Sequence, residues 1–142
     1  MADVVTPEVR SRMMAGIRGK NTKPEMIVRQ GLHAMGFRYK LHDKSLPGKP
    51  DLVFPKRKVV VFVNGCFWHK HDCDYFKWPK TRPEFWRQKI YQNQMRDIRN
   101  INKLRELGWV PIVVWECELK GLPESVDRKI SDLAGLISSV LQ

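Results

Sequence analysis

Two apolar runs decide most of what this chain can fold into. Val59-Val60-Val61-Phe62-Val63 and Ile112-Val113-Val114-Trp115 are strand-sized, far short of the roughly 20 residues that cross a bilayer. The first is apolar at every consecutive position, the pattern of a strand covered on both faces. Residues 51–54, a turn through Pro55-Lys56-Arg57-Lys58 and the run 59–63 therefore read as a central antiparallel hairpin, with Asp51 opening its first strand. Residues 37–41 alternate apolar and basic side chains as a further strand, and 109–115 is the next. At 142 residues the chain has room for one hydrophobic core, so 1–142 is read as a single domain.

Helices fill the intervals. Thr6-Pro7-Glu8 starts a short one running to about Gly16. Thr22-Lys23-Pro24-Glu25 has capping-box spacing and opens a second, stopped at Gly36. Pro83 begins a long helix to about Leu107 carrying Ile90, Ile98, Ile101 and Leu104, with Gly108 past its end. Val126, Ile130, Leu133, Ile137 and Val140 mark a final amphipathic helix. The fold class is mixed α and β, a central sheet flanked by helices.

The charge balance names the kind of partner. With 26 Lys plus Arg against 15 Asp plus Glu, the chain carries +11, and such an excess favours a polyanion, nucleic acid first. From Lys77 to Arg105 nine basic residues face two acidic ones. An ordinary solvated helix mixes the signs as Glu/Lys pairs. The first residues have neither a basic region nor a long apolar one, which argues against export, and three cysteines suit a reducing compartment, the cytoplasm.

Residues 64–82 form a connection about 19 residues long, longer than ordinary loops, and so either functional or stapled by a metal. It opens Asn64-Gly65-Cys66-Phe67-Trp68-His69-Lys70-His71-Asp72-Cys73, two thiols and two imidazoles in eight positions, with Cys117 as the third cysteine. Three Cys and one His make a closed tetrahedral zinc set; cysteines acting as small buried hydrophobes are the bland alternative. Spacing does not choose between His69 and His71. The imidazole left over is a general base or a packed polar residue. Asp51 lies at a strand mouth after Gly48-Lys49-Pro50 and Glu25 in a first helical turn. Carboxylates in a phosphate-binding protein suit a magnesium site, although a capping box already accounts for Glu25 and a turn for Asp51.

Arg10-Ser11-Arg12-Met13-Met14, Lys20-Asn21-Thr22-Lys23-Pro24-Glu25, Leu46-Pro47-Gly48-Lys49-Pro50-Asp51, Gly65-Cys66-Phe67-Trp68-His69, Phe85-Trp86 and Trp115-Glu116-Cys117 occur in this order. Together they resemble the very-short-patch-repair (Vsr) mismatch endonucleases. The resemblance implies a restriction-endonuclease-like core with a structural zinc. It also implies magnesium-dependent nicking of duplex DNA on the 5′ side of the thymine in T·G mismatches, the product of 5-methylcytosine deamination. A cytosine-5 DNA methyltransferase is then a functional partner, with mismatch-repair proteins as further ones, and the chain is expected to act as a monomer.

Residue by residue, the resemblance gives Asp51 and the Val63 backbone carbonyl to magnesium and Glu25 to its hydration shell. His69 is the catalytic histidine, and Cys66, His71, Cys73 and Cys117 hold zinc. Phe67, Trp68 and Trp86 enter beside the mismatch from one groove, Met14 and Ile17 from the other. Well-known members carry Thr-His where this chain has Val63-Asn64. Asn64 donates a hydrogen bond to phosphate but does not exchange a proton near neutral pH. Arg96 and the other long-helix cations are expected to grip the DNA backbone. Two rivals keep the basic face: a catalytically silent zinc-stabilised DNA-binding module, and a nuclease of broader mismatch tolerance.

Overall fold

The computed structural model describes residues 22–67, 69, 71, 73 and 76–140. The expected helix at 6–16 lies outside them, as do Met14, Ile17 and Trp68. The described elements follow the order α1 (Lys23–Ala34), β1 (Lys40–Leu41), β2 (Leu52–Phe54), β3 (Val59–Asn64), α2 (Pro83–Glu106), β4 (Val110–Trp115), a 3₁₀ turn (Glu116–Leu119) and α3 (Pro123–Ser139). The sheet runs β1-β2-β3-β4, antiparallel at its first two pairings and parallel between β3 and β4. The mixed α/β expectation and the central hairpin both hold.

Side chains of β2 and β3 alternate between two covered faces, so consecutive positions are buried. Leu52, Phe54, Val59 and Val61 pack with Val28 and Leu32 of α1 and with Ile130, Leu133 and Ile137 of α3. Val53 and Val60 face the other way, onto Leu104 of α2 with Phe62 and Trp109 beside it. The two helices on the first face approach closely: a Cβ at Gly31 would stand 2.7 Å from Ile130 Cγ2. A larger residue there would push α1 off α3.

One strand is shorter than its sequence pattern. Only Lys40–Leu41 pairs as β1, because residues 37–39 are taken up by α1 and the core instead. The Phe37 amide donates to the Leu32 carbonyl, Arg38 Nη1 caps the His33 carbonyl at 3.3 Å, and the Tyr39 hydroxyl donates to the Arg29 carbonyl at 2.7 Å. Phe37 also meets the Phe54 ring edge-on at 6.0 Å. Asp51 likewise precedes rather than opens β2, though its carbonyl still accepts from the His42 amide. In α2, Ile90 and Leu104 are fully buried while Ile98 is 52% exposed; Ile98 and Ile101 line a cleft rather than the core.

Candidate active site and metal centre

The parallel pairing of β3 with β4 builds the site. Asn64 is the partner of Trp115, so the loop after β3 and the 3₁₀ turn after β4 leave the sheet at the same edge. Cys66 and Cys117, far apart in sequence, therefore meet there: the Cys117 amide donates to Cys66 Sγ at 3.4 Å. His71 Nδ1 lies 3.7 Å from Cys66 Sγ and 3.4 Å from Cys117 Sγ. With Cys73, the four donor atoms all fall within 4.8 Å of one another. The bond lengths of a tetrahedral zinc site place N and S about 3.5 Å apart, so the donor set fits a metal of that type.

Supporting contacts fix this corner. The His71 ring stacks on Trp115 with centroids 4.1 Å apart and planes at 10°, and Glu116 Oε1 accepts from the Cys66 amide at 3.2 Å. Burial pushes the Cys66 thiol up to about 12 and raises Cys117 as well. Neutral thiols are what a buried cluster without a cation favours, and coordination reverses that preference.

Glu25 and Asp51, two members of a second cluster, line an open cleft of about 1890 Å³. Asp51 Oδ2 accepts from the Val63 amide at 2.6 Å, tying the loop before β2 to the end of β3. Gly48, at φ +79°, lets that loop lie against α2, since a Cβ there would stand 3.1 Å from both Phe62 and the Asn100 amide. Burial pushes the Asp51 carboxyl up to about 6; the Val63 N–H works the other way, and the neighbouring Glu25 charge adds to the rise. Glu25 is 2% exposed. Its amide donates to the Thr22 hydroxyl at 3.4 Å, which makes Thr22 the N-cap of α1. Its carboxylate meets Arg29 Nη1 at 3.4 Å and His42 Nε2 at 2.7 Å. Glu25, His42 and Asp51 place their donor atoms within 4.8 Å of one another.

His69 lines the same cleft but does not join the cysteines. Its Nδ1 bonds Asp97 Oδ2 of α2, so the structure separates the two histidines whose roles spacing leaves open. Asn64, Phe67, Trp86 and Arg96 line the cleft too. Phe67 meets Trp86 edge-on at 5.4 Å and stacks on Phe76 at 5.9 Å, while Phe76 contacts Trp78 at 5.0 Å. Neither core cluster includes these rings, and Trp78 and Phe85 are each 44% exposed. They form an aromatic shelf at the cleft.

Sequence reasoning missed His42, Asp97, Phe76 and Trp78. A signal existed for Asp97, one of two acids among the eleven charged residues from Lys77 to Arg105: a carboxylate kept inside a cationic stretch has a specific cation or imidazole to hold. His42 has no periodic signal, because it reaches the site through a left-handed backbone turn at φ +48°.

Comparison with known proteins adds the lineage. The family model described as DNA mismatch endonuclease Vsr matches residues 2–75. The chain is 49% identical over 122 residues to the Xanthomonas oryzae type II nicking enzyme V.XorIIP, covering 86% of this chain and 90% of that one. It is 49% identical over 120 residues to the Neisseria meningitidis type II nicking enzyme V.NmeAIP, covering 84% and 86%. It is also 42% identical over 132 residues to the Escherichia coli DNA mismatch endonuclease Vsr, covering 93% and 85%. The chain belongs to the Vsr family of DNA endonucleases.

Proposed function

We propose that this protein is a magnesium-dependent endonuclease that nicks duplex DNA on the 5′ side of the thymine in T·G mismatches left by deamination of 5-methylcytosine. The observation that carries the reading is that one cleft holds Asp51 with Glu25, the His69–Asp97 pair, and the aromatic shelf. Asp51 and the Val63 carbonyl are the residues that would hold magnesium, with Glu25 acting through its hydration shell. Bound there, the ion would neutralise phosphate charge and acidify water.

The protein's own groups supply the rest. With Nδ1 committed to Asp97, His69 Nε2 is the ring atom that positions water or takes its proton. Asp97 fixes the tautomer and stabilises the imidazolium that forms. Asn64 donates to a phosphate oxygen. Arg96 and the other α2 cations grip the backbone without reading bases. Discrimination falls to Phe67, Trp68 and Trp86, with Met14 and Ile17 from the opposite groove, since a wedge unstacks a faulty pair at lower cost than a sound one. We assign zinc to Cys66, His71, Cys73 and Cys117 as a structural ion. The single domain 1–142 works as a cytoplasmic monomer downstream of a cytosine-5 methyltransferase, alongside mismatch-repair proteins.

A nicking assay on matched and T·G duplexes, with and without magnesium, tests this. Cleavage confined to the T·G duplex and to magnesium-containing buffer is expected. Binding without cleavage would leave a silent DNA-binding module, and equal cleavage of other mismatches would leave the broader nuclease.

A further inference from the structure

His42 stands in the catalytic cluster for reasons of geometry that the helix cap and the strand pattern do not supply. It follows the last residue of β1 with φ +48°, a left-handed conformation uncommon outside glycine and one that persists where surrounding structure enforces it. The turn carries the imidazole under α1, where Nε2 meets Glu25 Oε2 at 2.7 Å. The His42 side chain is 14% exposed and that of Glu25 2%. Its backbone is tied to the same site, since the His42 amide donates to the Asp51 carbonyl.

Two carboxylates and one imidazole thus converge with all donor atoms within 4.8 Å. Ligands at about 2.1 Å from a six-coordinate cation stand roughly 3 Å apart when adjacent and 4.2 Å when opposite. The Asp51 and His42 donor atoms, no more than 4.8 Å apart, are within about half an ångström of the longest separation one such ion spans, and Glu25 lies close enough to both to hold a water of its shell. Arg29 also faces Glu25, at 3.4 Å, so Glu25 keeps a cationic partner when His42 turns away from it.

We propose that His42 is a nitrogen ligand of the cation site at Asp51, with Glu25 beside it in the hydration shell, making it a mixed Asp/His site that holds Mn²⁺ more tightly than Mg²⁺. This rests on the reading of Asp51 as a cation ligand. Carboxylate oxygens serve both ions, whereas an imidazole nitrogen adds little for Mg²⁺ and more for a transition ion. His42 then sets the metal preference of the site, and low Mn²⁺ concentrations support nicking where equal Mg²⁺ does not.

The test uses the full-length, zinc-loaded protein titrated with manganese chloride without DNA. In wild type, pulsed electron paramagnetic resonance of the bound ion shows ¹⁴N modulation from a directly coordinated imidazole. His42→Asn, chosen because Asn tolerates the left-handed backbone, loses that modulation and binds Mn²⁺ at least about tenfold more weakly, with Mg²⁺ affinity changed less than about threefold. His69→Asn keeps the modulation. Cooperative melting of His42→Asn checks folding, and His42→Gly, which relieves the left-handed turn, repeats the measurement if Asn does not fold. Modulation absent from wild type or retained in both His42 variants overturns the proposal, as does an equal loss of Mn²⁺ and Mg²⁺ affinity, which makes His42 only a partner that orients Glu25. Undiminished Mn²⁺ binding by Asp51→Asn instead overturns the underlying assignment of Asp51.

Discussion

Replacing Asp51 by Asn removes a charge that the folded protein holds at a cost, so the variant is expected to be more stable than wild type while losing its activity. Burial raises the Asp51 carboxyl from 3.8 to about 6, which corresponds to at most about 3 kcal/mol of destabilisation once the group is ionised. The sign follows from proton counting. Between pH 3.8 and 6 the folded wild type keeps a proton that the unfolded chain has released, so its stability falls as pH rises through that window and levels off above it. Below 3.8 both states are protonated and the penalty vanishes. Asn keeps an oxygen to accept from the Val63 amide, the 2.6 Å bond of the wild type, and does not titrate. Asp51→Asn should therefore match wild type near pH 3.5–4 and exceed it at pH 7.5 by up to about 3 kcal/mol, roughly 6–12 °C in melting temperature for a chain of this length. Thermal melts from pH 4 to 8 in buffer free of added divalent ions, without chelator so that the cysteine cluster is undisturbed, measure this. Added magnesium should narrow the gap, because it selects the ionised carboxylate. A variant no more stable than wild type at pH 7.5, or a gap independent of pH, would refute the reasoning.

Four further outcomes are expected. Asp97→Asn should slow nicking roughly 10²–10⁴-fold at unchanged DNA affinity, and single-turnover rates that stay within threefold of wild type would detach Asp97 from the chemistry. Cys73→Ala or Cys117→Ala should lose stoichiometric zinc and lower the melting temperature rather than merely slow turnover; metal analysis with calorimetry decides, and a zinc-free wild type that melts cooperatively would end the assignment. Arg96→Ala should weaken matched and T·G duplexes alike and reduce the salt slope of binding by about one, as read by titrations at two salt concentrations. Trp68→Ala and Phe67→Ala should weaken T·G binding by roughly one to two orders of magnitude, at about 1–3 kcal/mol per stacked base, and equal losses on matched DNA would return these rings to a packing role.

What the sequence disclosed and what it withheld divide along physical lines. β3 was legible because a strand covered on both faces must be apolar at consecutive positions, and Val59, Val60 and Val61 are each fully buried. The start of α1 was legible because Thr22 and Glu25 carry the cap in their own chemistry. The extent of β1 was not, since Phe37 and Tyr39 alternate as a strand would and yet spend their contacts on Phe54 and the end of α1. The setting of Ile98 was not legible either: helical spacing identifies an apolar stripe, and part of that stripe lines a cleft instead of a core. The cysteines announced a cluster by composition, but the pairing that sets His69 apart from it comes from Asp97, which reaches the loop from α2. His42 depended on one backbone angle.

These cases share a cause that also bears on how the enzyme is built. His42 and Asp97, both hidden from sequence reasoning, enter the site across tertiary contacts, to Glu25 and to His69, and further contacts of that kind gather at the carboxyl end of β3. Val63 binds Asp51 through its amide, and three residues later Cys66 is held by Glu116 and Cys117 from the end of β4. Phe67 and His69 lie between Cys66 and His71, two members of the sulfur–imidazole cluster. A loop of that length without a staple would sample many conformations, and each would misplace the aromatic shelf and the histidine together. Closing the cluster at both ends restricts Phe67 and His69 to a few backbone geometries, and the Asp97 contact selects one for the imidazole. If the cluster holds zinc as proposed, the ion would act on the reaction without touching the substrate, by fixing where Phe67 and His69 stand relative to Asp51.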